Sequence, residues 1–109
     1  MEVTYYGHSC FGITLAGKSI LFDPFITPNP LAAAIDISTI RPDYILLSHA
    51  HEDHVADVIP IATASGAKVL GIYEVVTYFE KKGITNIHPM NIGGKAILDF
   101  GTVKMVNAV

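Results

Sequence analysis

The chain is expected to fold as an α/β domain, and three features of its sequence lead there. Strand and helix signals alternate through its second half, as parallel strands with crossover connections require. The strands of that half are continuous apolar runs such as Tyr44-Ile45-Leu46-Leu47, as expected where a strand is buried on both faces. Of its 109 residues, 50% are hydrophobic and 16% charged, with a mean hydropathy of +0.43; an average soluble domain carries about a quarter charged residues. That apolar excess fits a compact α/β domain. It equally fits a piece of a larger unit with one face meant to be covered.

The opening reads as a meander, with strands at Val3–Tyr6, Cys10–Leu15 and Lys18–Phe22 separated by Gly7 and by Ala16-Gly17. Asp23-Pro24 ends the third strand, and Pro24, Pro28 and Pro30 mark a loop. A short helix is expected within Leu31–Ile40, stopped by Arg41-Pro42. Asp43–Ser48 is the next strand. A helix follows with Asp57 as N-cap, Pro60 in its first turn and Gly66 at its end. Lys68–Ile72 is a buried strand. Tyr73–Lys82 is a helix whose buried face carries Val75, Val76 and Phe79, with Gly83 just past its end. Strands at Asn86–Met90 and Ala96–Phe100 flank Gly93-Gly94, and a last strand runs over Thr102–Val109.

The net charge is −3 and the one arginine is Arg41. Without a basic patch, bulk nucleic acid is not an expected partner. No apolar stretch approaches the roughly 20 residues that span a bilayer, and Met1-Glu2-Val3-Thr4 does not open a signal peptide. The single cysteine, Cys10, allows no intrachain disulfide, so a cytoplasmic location is expected.

Chemistry concentrates in His49-Ala50-His51-Glu52-Asp53-His54, directly after Ser48 at a strand end. In open α/β sheets ligands gather beyond the carboxyl ends of the strands. Alternate side chains of an extended segment point the same way, so His49, His51 and Asp53 converge. A backbone turn at Asp53 into the following helix brings His54 to the same side. Imidazole nitrogens and carboxylate oxygens are the usual ligands of zinc and related ions. Four such ligands within six residues do not face one ion without strain. Two neighbouring ions, His49 and His51 on one, Asp53 and His54 on the other, fit better. The blander readings are an exposed polar loop and a purely structural metal site; against the first, three of the five histidines fall in these six positions.

The run His49-x-His51-x-Asp53-His54 after a buried strand resembles the signature of the metallo-β-lactamase superfamily. Tyr6-Gly7-His8-Ser9-Cys10-Phe11 and Ile20-Leu21-Phe22-Asp23-Pro24 resemble one branch of it, the uncharacterised metal-dependent hydrolases related to ascorbate-6-phosphate lactonase. The resemblance runs along the whole chain but covers only the first half of such a protein. It implies an αββα sandwich, with residues 1–109 as its N-terminal half, and a hydroxide bridging two metals. It also assigns His49 and His51 to the first metal and Asp53 and His54 to the second. A later histidine, a bridging aspartate and a last histidine complete such sites, and no residue after His54 matches them. Asp23 is either a turn residue or a partner orienting a ligand. His8 either hydrogen-bonds substrate beside the metals or is structural.

The expectation is a metal-dependent hydrolase that cleaves a lactone, ester, amide or phosphodiester with a hydroxide held by two divalent ions, zinc first, with manganese, iron or nickel also accommodated. Asp53 would bind and orient the hydroxide, and a small molecule would be the substrate. A non-catalytic metal-binding or interaction module sharing the fold is the alternative. The partial ligand set and the apolar excess suggest a complementing C-terminal chain, or a second copy, over an otherwise bare sheet face. Cys10 is expected to be buried and inert, His88 a core or surface residue, Glu52 solvent-facing, and Lys81-Lys82 a helix-end charge pair.

Overall fold

Turns at Gly7-His8 and Ala16-Gly17 cut the first 22 residues into three strands. In the computed structural model, which describes residues 1–108, these are β1 (Glu2–Gly7), β2 (Cys10–Leu15) and β3 (Lys18–Phe22), paired antiparallel. β4 (Tyr44–Leu46), β5 (Lys68–Ile72) and β6 (Ile87–Met90) join in parallel, giving one sheet in the order β1-β2-β3-β4-β5-β6. Helices α1 (Glu52–Val55) and α2 (Val58–Ser65) connect β4 to β5, and α3 (Tyr73–Lys81) connects β5 to β6. A separate hairpin, β7 (Lys95–Leu98) and β8 (Gly101–Lys104), follows.

Successive side chains of a strand face opposite sides, and here both sides are apolar. Leu21, Ile45 and Val69 pack with Val58, Ile61 and Ala62 of α2 and Val76 and Phe79 of α3. Their neighbours Ile20, Leu46 and Leu70 pack on the other face with Met90 and with Ala96 of the hairpin. Burial on both faces explains why the central strands read as unbroken apolar runs.

The hairpin corrects the expectation of a bare sheet face. It folds back over β3, β4 and β5, leaving Ile20 and Leu70 fully buried. Three contacts pin it. Tyr44 Oη donates to Asp99 Oδ1 at 2.6 Å, Lys18 Nζ lies 3.5 Å from Asp99 Oδ2, and the Tyr44 and Phe100 rings meet edge to face at 4.9 Å. Beyond its reach the same face stays open. Val3, Tyr5 and Phe11, in register with Ile13, Ile20 and Phe22, are 59%, 61% and 40% exposed.

The helix expected within Leu31–Ile40 is instead a pair of 3₁₀ turns, Pro30–Ala32 and Ile37–Thr39. Asn29 and Asp36 account for this, because each side chain accepts from the backbone two residues on, Leu31 N and Ser38 N, which competes with a continuous helix. Asp57 does stand at the N-cap position of α2, but its carboxylate makes no cap bond there. The strand expected over Thr102–Val109 is β8 alone, its pairing ending at Lys104; Val109 lies outside the described residues. Asp99 and Phe100, placed by the sequence in a strand, form the β7–β8 turn. The remaining boundaries agree to within a residue or two.

Candidate metal centre

β3 and β4 run parallel and end side by side, so the segments leaving them emerge together. Asp23 follows β3 in the left-handed region, φ 46°, a conformation that Asp tolerates better than most residues. Its backbone N–H still donates to Leu46 O at 3.1 Å. This aims a carboxylate, only 7% exposed, at the start of the next loop. Ser48 N donates to Asp23 Oδ1 at 2.8 Å and Ser48 Oγ to Oδ2 at 2.5 Å. The loop carrying the histidines is therefore tied at its first residue.

His49, His51, Asp53 and His54 gather at this carboxyl end. His49 Nε2 and His51 Nδ1 lie 3.0 Å apart, and the His49 and His54 rings approach to 4.0 Å between centroids. α1 begins at Glu52, and that turn brings His54 round: its Nδ1 lies 2.9 Å from Asp23 Oδ2 and its Nε2 is 3.7 Å from Asp53 Oδ1. Glu52 is exposed.

The site includes more than the run itself. His8, in the β1–β2 turn with φ 52°, has its Nε2 3.0 Å from Asp53 Oδ2. Donor atoms of His8, Asp53 and His54 all lie within 4.8 Å of one another, and among the described residues these form the one such trio. Thus His8 joins Asp53 and His54 in one group, and His49 and His51 form a second beside it. Tyr5 Oη holds the His8 carbonyl at 2.9 Å, and the Phe25 ring lies 5.4 Å from the His8 ring. Gly7, at φ 110°, lets the loop from β3 come close: a Cβ there would sit 2.8 Å from Asn29 Nδ2. The sequence left His8 open between two roles, and only the pairing of distant turns brings it to Asp53.

Partial desolvation pushes the Asp53 carboxyl up, but the His8 hydrogen bond and the nearby His54 outweigh it and hold it below its ordinary value. Asp23, weighed as a turn residue or an orienting partner, contacts both Ser48 and His54. Cys10 is fully buried, and desolvation pushes its thiol to about 11, which leaves it protonated and unreactive at neutral pH. His88 lies in β6 opposite Leu70. Asp57 was missed as an anchor: its carboxylate, 3% exposed, accepts from Ile26 N at 2.6 Å and Thr27 N at 2.9 Å and pins the loop after β3.

Residues 2–104 match the family model described as the beta-lactamase superfamily domain. A "UPF0173 metal-dependent hydrolase" of Flavobacterium johnsoniae is 54% identical over 109 residues, covering 100% of this chain and 48% of that protein. One from Exiguobacterium sp. is 51% identical, covering 99% and 47%. The chain spans about half the length of the curated relatives it matches. Among solved structures, Igni18, a metallo hydrolase from the hyperthermophilic archaeon Ignicoccus hospitalis, superposes with a TM-score of 0.80 at 38% identity, over 89% of this chain and 42% of that one. An isothiocyanate hydrolase from Delia radicum gut bacteria superposes with a TM-score of 0.73 at 19% identity, over 94% and 46%, a likeness of fold alone.

Proposed function

We propose, on the premise that this chain belongs to the beta-lactamase superfamily domain family, that it supplies the metal-binding half of a metal-dependent hydrolase. The observation that carries this reading is the convergence of His8, Asp53 and His54 beside the His49–His51 pair. The donor set suits zinc and its neighbours, with imidazole and carboxylate and no thiolate. His49 and His51 would hold one ion, Asp53 and His54 a second. When bound, such ions lower the pKa of water and stabilise negative charge growing on a carbonyl or phosphoryl oxygen.

The chain's own groups do the rest. The low-lying Asp53 carboxylate is an acceptor near neutral pH, and it orients an attacking water and takes up its hydrogen bond. His8 donates to the other side of that carboxylate and fixes its plane. The Nδ1–H of His54 points at Asp23, which leaves Nε2 bare toward the site. Lactones, other esters, amides and phosphodiesters share the needed electrophilic centre, so the reading extends to that class of small molecules.

Further ligands come, on this reading, from a complementing C-terminal segment, or from a second copy of the chain. The uncovered strip of Val3, Tyr5 and Phe11 gives such a partner an apolar seat. Light scattering of the 109 residues alone is expected to show association; a monomer with a cooperative melt would remove the need for a partner.

The functional test uses a full-length polypeptide containing this sequence. Metal analysis should find two divalent ions per chain, and a panel of lactones, esters and phosphodiesters should include a hydrolysed substrate. Metal bound with no turnover across the panel would favour the non-catalytic module, and no metal at all would end the metal reading.

A further inference from the structure

We propose that Ser48 is a positioning residue that, with Asp23, fixes His49 and His54 in the same tautomer, so that one buried carboxylate orients a ligand in each of two metal half-sites. The inference rests on the metal-centre reading for its purpose, but its geometry stands on hydrogen bonds alone.

An ionised carboxylate offers only acceptors. Asp23 receives Ser48 N on Oδ1, and Ser48 Oγ and His54 Nδ1 on Oδ2. A serine hydroxyl has one proton, and Ser48 has committed it to Asp23. Toward His49, whose Nδ1 lies 2.9 Å away, the same Oγ therefore accepts. His49 thus carries its proton on Nδ1, and in the neutral ring Nε2 is bare. His54, donating to Asp23 through Nδ1, is left with the same bare Nε2. The opposite tautomer would aim an N–H at the metal and forbid ligation.

That bare Nε2 of His49 lies 3.0 Å from Nδ1 of His51, so the two nitrogens face one point, as ligands of a shared ion would. The origin of the relay is well held. Asp23 is buried, and its left-handed backbone stays in place through its bond to Leu46 O. Strained backbone of this kind persists only where its surroundings over-determine it. A threonine at position 48 keeps the hydroxyl, and an alanine deletes the relay while leaving the Asp23–His54 bond intact.

The test pairs two readouts on the full-length polypeptide. In the metal-free protein, long-range proton–nitrogen correlation spectra of its labelled histidines should place the proton on Nδ1 in both His49 and His54. In Ser48→Ala, His49 should lose that preference while His54 keeps it, and Ser48→Thr should restore it. Calorimetric zinc titration should then show one of two sites weakened about 10–100-fold in Ser48→Ala, with Ser48→Thr within a few-fold of the parent. A proton on Nε2 of His49 in the parent would overturn the proposal. So would a Ser48→Ala protein with unchanged tautomers and both affinities intact. If the parent takes up no zinc, the metal reading fails, and the spectra still decide the relay.

Discussion

Two buried carboxylates stand at the carboxyl end of this sheet, and they are used differently. Asp57 accepts two backbone N–H groups, Ile26 and Thr27, and its own N–H donates to Pro24 O at 3.1 Å. Its partners are main chain, and its result is a fixed loop. Asp23 accepts one backbone N–H and two side chains, Ser48 and His54, that lead into the candidate metal centre. Stability and function here draw on neighbouring groups of the same chemistry. What separates them is what the donors belong to: Ile26 and Thr27 lend main-chain groups of one loop, whereas Ser48 and His54 bring side chains to the edge of the site.

Deletion separates the two carboxylates. Asp57→Ala leaves two N–H groups without their charged acceptor, and hydrogen bonds to charged groups contribute about 1.5–3 kcal/mol each. A loss of about 3 kcal/mol or more is expected in urea denaturation, with Asp23→Ala losing less. Equal losses would mean that both carboxylates are structural. Next in size, Asp53→Ala should cut turnover by about 10²-fold or more, several kcal/mol of transition-state stabilisation, while the melting curve barely moves. Unchanged turnover of an identified substrate would remove Asp53 from the reaction.

The contrast also marks how much was legible in the sequence. The strands from Cys10 to Phe22 and from Lys68 to Ile72, and the apolar face of α3, followed from turns and periodicity. The approach of His49 to His51 followed from a spacing of two, and that of His54 from a turn, which comes at Glu52, one residue earlier than expected, so that Asp53 is already helical. The anchoring role of Asp57 did not, because its partners lie about 30 residues away and depend on how the loop returns. His8 reaching Asp53 across 45 residues was hidden for the same reason. The hairpin covering the sheet was missed because Tyr44 reads locally as strand, and its partner Asp99 reads as part of another.

Tyr44→Phe removes one hydrogen bond from the hairpin anchor and should cost about 1 kcal/mol, without touching metal uptake. A change in uptake would show that the hairpin supports the site. Cys10 offers the finest probe. Its thiol is raised to about 11 first by burial, and both Asp23 and Asp57 push it further up. A group raised on folding stabilises while protonated, so its contribution holds below its unfolded value near 9 and is lost as pH climbs toward 11. The stability gap between the parent and Cys10→Ala should accordingly narrow between pH 9 and pH 11; a constant gap would mean that the thiol does not feel its burial.

The most direct measurement is anomalous diffraction at the zinc edge from crystals of the full-length polypeptide grown with zinc. Two peaks about 3.5–4 Å apart are expected, one bonded to His49 and His51, the other to Asp53 and His54, with Asp23 bonded to neither. Zinc bound elsewhere on the chain, or at Asp23 itself, would contradict the metal centre described above.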